Sequence, residues 1–100
     1  IQINMKKLTR NKQHDSRRSY DVTISEYKGK KLKFTYQAYN GAERYNVELF
    51  KADEWNRIAC MNDLGVTPNT SAYNILTPQE RESRTDGLYK KAVAYVKLFL

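Results

Sequence analysis

Arg10, Lys12, Arg17, Arg18, Lys28, Lys30, Lys31 and Lys33 crowd the first third of this 100-residue chain, and Arg44 follows a short way on. Each of these side chains can neutralise a phosphate and release a bound counterion. Gln37 and Asn46 lie among them, and their amides suit hydrogen bonds to base edges. Residues 1–33 hold ten of the 18 Lys and Arg but only three of the 11 Asp and Glu; beyond them the signs balance, eight against eight. The whole net charge of +7 therefore sits in the first third. Such asymmetry points to a polyanionic partner, against the plainer reading that small basic domains are charged for solubility.

Other chemistries find little footing. One histidine, His14, and one cysteine, Cys60, cannot assemble a zinc site, and no acidic ladder resembles a calcium loop. A nucleophilic triad would rest on His14 alone, inside a basic stretch. The four glycines are scattered rather than gathered into a phosphate loop. Glu80 and Glu82 fall on opposite sides of a helix, so they form no acid–base pair. The expectation is a protein with no catalytic residue, metal or cofactor. A metal-independent ribonuclease built from Lys, Arg and Tyr is the least favoured alternative.

The elements that must position the basic residues centre on 19–50. Asn40-Gly41 between alternating segments marks a two-residue type I′ hairpin, since both central residues need positive φ. Taken literally, it sets Tyr39 opposite Ala42, Tyr36 opposite Tyr45, Phe34 opposite Val47 and Leu32 opposite Leu49. For the preceding turn, a three-residue loop over Tyr27-Lys28-Gly29 puts Ile24 opposite Leu32, Val22 opposite Phe34 and Tyr20 opposite Tyr36. A two-residue loop at Lys28-Gly29 would send Ile24 to the face of Lys33. The three-residue loop separates apolar from polar across the sheet and is the expected one. Lys31, Lys33, Gln37, Arg44 and Asn46 then share the polar face with Asp21 and Glu48.

Around this meander, residues 1–18 read as a basic N-terminal arm, with a short edge strand over 1–5 as an option and one loose helical turn after it. Residues 19–100 read as a single domain. Asp53 is a good N-cap, and Trp55, Ile58 and Ala59 lie at helical spacing, which predicts a helix behind the sheet with Trp55 as its anchor. Gly65 reads as its left-handed stop, with Val66 in the position of a Schellman contact. Thr67 to Leu76 is a loop pinned by Tyr73, Ile75 and Leu76. Thr77-Pro78-Gln79-Glu80 is a capping box with proline at the first helical position. The polar helix it opens is expected to weaken at Asp86-Gly87, with a second, core helix from about 87 to 99. A strand over 92–100 is the alternative. The fold class is thus α+β: a three-stranded antiparallel β-meander, one helix packed behind it and a C-terminal helix.

The order of elements over about 19–65 is similar to that of the AP2-like DNA-binding domains of plant factors and phage integrase arms. Those sheets present mostly arginines, whereas Asp21 and Glu48 interrupt this one. The likeness implies a sheet laid in the major groove of DNA. The expected function is non-enzymatic binding of DNA or RNA through the arm and the polar face. The alternative is a protein-binding inhibitor or adaptor of the phage or mobile-element kind, acting on a host protein through Tyr27, Tyr39 and Phe50, since tyrosine is enriched at interface hot spots. No apolar run approaches a membrane span, and a lone cysteine suits a reducing, cytoplasmic compartment. The apolar ending Leu98-Phe99-Leu100 needs a cover, from the core or from a second subunit in a dimer.

Overall fold

The computed structural model describes residues 4–15, 18–39, 42–69 and 76–100. Five antiparallel strands follow one another across a single sheet: β1 (Lys6–His14), β2 (Arg18–Tyr27), β3 (Lys30–Tyr39), β4 (Ala42–Lys51) and β5 (Glu54–Cys60). One helix among the described residues, α1 (Pro78–Lys97), crosses one face of that sheet. The class is α+β as expected; among the described residues there are two more strands and one helix fewer than the sequence reading.

The β3–β4 ladder has the register that Asn40-Gly41 predicts: Leu32 pairs with Leu49, Phe34 with Val47, Tyr36 with Tyr45 and Tyr39 with Ala42. Its turn residues lie outside the described set. The β2–β3 register differs. Tyr27 pairs with Lys30, so the loop is the two residues Lys28 and Gly29, with φ of 53° and 76°. Both take the left-handed conformation a type I′ turn demands. The one-residue change inverts β2. Ser19, Asp21, Thr23, Ser25 and Tyr27 are buried beneath the helix, and Tyr20, Val22 and Ile24 face away from it. Burying polar groups costs free energy unless they are hydrogen-bonded. Three of these groups are: Asp21 is held by Arg10, Ser25 shares a 2.9 Å bond with the Tyr89 hydroxyl, and Ser19 accepts from Arg81 at 3.4 Å.

The expected helix over 53–64 is strand β5. Ala52 and Asp53 have φ of 55° and 61°, and Lys51 pairs with Glu54 across them. That is a hairpin turn made without glycine, so Asp53 caps nothing. The likeness in element order to the AP2-like domains ends here, because β5 stands where their helix would be. After β5 the chain makes one turn whose bonds, Gly65 N to Asn62 O and Val66 N to Met61 O, both 3.1 Å, are those of a Schellman motif. Gly65 has the predicted positive φ, 70°.

Lys6–His14 is also a strand, not a loose arm. Its inward residues Arg10, Lys12 and His14 sit level with Thr23, Asp21 and Ser19 of β2. Of the optional edge strand over 1–5, residues 1–3 lie outside the described set, and Asn4 and Met5 are not in the sheet.

α1 begins at the predicted capping box. The Thr77 hydroxyl accepts from the Glu80 amide, and the Glu80 carboxylate accepts from the Thr77 amide, both at 3.1 Å. The helix then runs unbroken through Gly87, so the predicted division at 86–87 and the strand alternative over 92–100 are both absent. Its buried stripe is Arg81, Thr85, Leu88, Ala92 and Val96, at helical spacing. Against it the sheet sets Leu32, Phe34, Tyr36 and Val47. The ring of Tyr89 meets Phe34 edge-on at 4.9 Å. Leu76 packs on this core; Tyr73 and Ile75 lie outside the described residues. At the end of the chain Leu100 packs inward, while Leu98 and Phe99 are 84% and 52% exposed. No described helix is long and apolar enough to cross a membrane.

Candidate nucleic-acid interface

The two faces of the sheet differ in how their charges are paired. On the helix side, carboxylates are engaged by arginines. Arg10 donates to Asp21 from Nε at 3.0 Å and from Nη2 at 2.6 Å, and reaches Asp86 at 2.9 Å. Arg84 grips Glu43 with two bonds of 2.6 Å. Glu43 also accepts from the Tyr36 hydroxyl at 2.7 Å and the Asn69 amide at 2.9 Å. Burial alone would raise the Glu43 pKa, but Arg84, the Asn69 amide and the Tyr36 hydroxyl together hold it below the ordinary value. Burial, reinforced by the Glu43 hydrogen bond, pushes the Tyr36 hydroxyl up. Lys12 pairs with Glu82, and Arg81 donates to the Asp15 carbonyl. His14 Nε2 lies 3.8 Å from Asp21. These groups join β1, β2 and β4 to the helix.

This placement corrects part of the sequence reading. Arg10 and Lys12 are not free for phosphate, because Arg10 is held by Asp21 of β2 and Asp86 of α1, and Lys12 by Glu82 of α1. Arg17 lies outside the described residues. Lys30 shares the helix-side face with Tyr27, and Lys28 donates to the Leu100 carbonyl at 3.1 Å. Tyr27 is only 6% exposed, so it leaves the set proposed for a protein interface.

The open face gathers the rest. Arg18 from β2, Lys31, Lys33 and Gln37 from β3, and Arg44 and Asn46 from β4 all point away from the helix. Arg57 of β5 joins them, level with Glu48. Glu26 and Glu48 are the carboxylates of this face. Among the described residues, every ion pair lies on the helix side, and none involves Arg18, Lys31, Lys33, Arg44 or Arg57.

The sequence reading named Tyr39 and Phe50 of this face as protein contacts, and missed Tyr20, Val22, Ile24 and Trp55. Tyr20, Val22 and Ile24 form a half-buried stripe along β2. Tyr39 is 59% exposed, with the Arg18 guanidinium 5.4 Å from its ring. Trp55, expected in the core, lies on the open face instead. The Lys33 ammonium sits 4.5 Å over its ring, and Phe50 packs beside it at 5.2 Å. The signals were Lys28-Gly29 read as a two-residue turn, and the alternation of Trp55 with Arg57. A cleft of about 570 Å³ opens at one end of this face, between Arg18, Tyr20, Val22, Gln37, Tyr39 and Arg44.

No group of three or more potential metal ligands occurs among the described residues. Comparison with protein-family models, with curated proteins and with solved structures returns no match.

Proposed function

We propose that this chain is a non-catalytic nucleic-acid-binding module that takes its ligand on the open face of the sheet. The supporting observation is the segregation of charge. Asp21, Glu43, Glu82 and Asp86 are each paired with a basic side chain on the helix side, while Arg18, Lys31, Lys33, Arg44 and Arg57 face solvent in no ion pair among the described residues. Unpaired cations spread over one surface form the electrostatic footprint of a phosphate backbone. Gln37 and Asn46 stand among them as amides for base edges.

Fluorescence anisotropy of labelled oligonucleotides at several salt concentrations tests this reading. Four or five phosphate contacts predict that log K falls against log salt with a slope of about −3 to −3.5 on a single strand and about −3.6 to −4.5 on a duplex. The double variant Lys33→Glu/Arg44→Glu should abolish binding, and Lys90→Glu/Lys91→Glu, on the exposed side of α1, should leave it intact. Absence of binding at low salt would sink the proposal. So would a host protein retained after nuclease treatment through Tyr39 and Phe50; that result favours the inhibitor or adaptor reading.

A further inference from the structure

We infer that the ligand is a single strand, whose unpaired bases stack on Tyr39 and Tyr20 in the cleft while its backbone crosses toward Lys33 and Trp55. This rests on the nucleic-acid reading above and deepens it.

The first ground is size. Neighbouring strands lie about 4.8 Å apart, so five of them make a face about 19 Å wide. The major groove of B-DNA is about 12 Å wide and admits a helix or a two-stranded ribbon. A sheet this broad cannot enter it, and the groove-reading posture suited to a three-stranded meander is lost.

The second ground is chemistry. Duplex backbones offer phosphates but no base faces, so a duplex reader has no use for exposed rings. This face pairs cations with rings at two places: Arg18 with Tyr39 at 5.4 Å, and Lys33 with Trp55 at 4.5 Å. A ring beside a cation is what an unpaired base and its phosphate require, since every base has a π-face. Tyr39 stands at one end of β3, and the pairing of β3 with β4 puts Trp55 and Phe50 level with Lys31 at the other. Eight residues of strand separate the two platforms, about 26 Å. At 3.4 Å per stacked nucleotide, that span holds up to about eight nucleotides.

The third ground excludes a second copy of the chain as the occupant. Two open faces laid together would oppose Arg18, Lys31, Lys33, Arg44 and Arg57 with their own counterparts, with only Glu26 and Glu48 to offset them. A single strand supplies anions for these cations and flat apolar surface for Tyr20, Val22 and Tyr39.

The experiment compares a 12-nucleotide homopolymer, as DNA and as RNA, with a duplex of equal length. Single strands should bind at least tenfold tighter than duplex and quench the fluorescence of Trp55, the one tryptophan of the chain. Tyr39→Ala should weaken single-strand binding by about 5- to 150-fold, the range for one stacked base, and leave the duplex value unchanged. Tyr39→Phe should restore single-strand binding. Tyr39 is exposed, so circular dichroism of the variants should match the parent. Equal affinity for duplex and single strand, with Tyr39→Ala silent, overturns this inference while leaving the nucleic-acid reading intact. Failure of every oligonucleotide to bind overturns both.

Discussion

Asp21 and Arg10 meet across β1 and β2 through two hydrogen bonds, 3.0 and 2.6 Å long, and Asp21 is only 2% exposed. This pair fixes which side of β2 faces the helix, because a carboxylate so buried needs its cation. Asp21→Ala leaves Arg10 with Asp86 alone and removes the partner that holds β1 in place. The expected cost is about 3 kcal/mol, the low end for breaking a buried pair, since Arg10 is partly exposed. Urea denaturation of the variant measures it. A loss below about 1 kcal/mol would show that the pair does not hold β2 in this orientation.

That pair also explains what sequence reasoning recovers and what it misses. The β3–β4 register, the Thr77–Glu80 capping box and the Gly65 turn are legible because the residues that decide them lie within a few positions of one another. β2 is not, because sorting by hydropathy sends Val22 and Ile24 inward. The polar residues that go inward instead find partners far along the chain: Asp21 in Arg10, Ser25 in Tyr89, Ser19 in Arg81. β1 hides for the same reason, its inward Arg10 and Lys12 being matched by Asp86 and Glu82 of α1. β5 hides because Trp55, Ile58 and Ala59 fit a helical stripe, and the Ala52-Asp53 turn lacks the usual glycine. Lys31, Lys33, Arg44, Tyr39 and Phe50 of the candidate site were therefore visible, and Tyr20, Trp55 and Arg57 were not.

Glu43 makes stability depend on acid. Its folded-state pKa lies below the ordinary 4.5, so its contribution is fully present above that value and is lost as pH falls through the folded value. The parent should lose stability in this window below pH 4.5. Glu43→Gln, less stable at pH 7, should show a flatter acid limb there. Thermal melts of both proteins between pH 3 and 7 check it; parallel curves would show that Glu43 is not the group responsible.

The Ala52-Asp53 turn offers a stabilising change. Both residues hold positive φ without being glycine, a conformation that costs L-residues about 1–2 kcal/mol. Ala52→Asn/Asp53→Gly supplies the pair that type I′ hairpins favour. The melting midpoint in urea should rise by the equivalent of about 1 kcal/mol, with the slope unchanged. A drop would mean that Asp53 contributes something beyond the turn.

Gly87 sits within α1, and a Cβ added there would meet nothing within 4 Å. Alanine loses less backbone entropy on entering a helix, so Gly87→Ala should stabilise by about 0.5–1 kcal/mol. Oligonucleotide binding should not change, because the position is remote from the open face. Destabilisation in the melt would show that the helix bends at Gly87 in solution.

The orientation of β2 can be tested without a structure. Ile24 and Val22 are half-buried on the open face, whereas Phe34 is buried beneath α1. Ile24→Thr and Val22→Thr keep the branched shape that strands favour and give up little buried area, so each should cost less than about 1 kcal/mol. Phe34→Ala empties a core position and should cost about 3–5 kcal/mol. In the three-residue-loop register both Ile24 and Val22 would lie in the core, and threonine there would cost far more than 1 kcal/mol through an unpaired hydroxyl. Denaturation of the three variants therefore distinguishes the registers: two small losses and one large one fit a β2 that turns its apolar stripe outward, and three large ones do not.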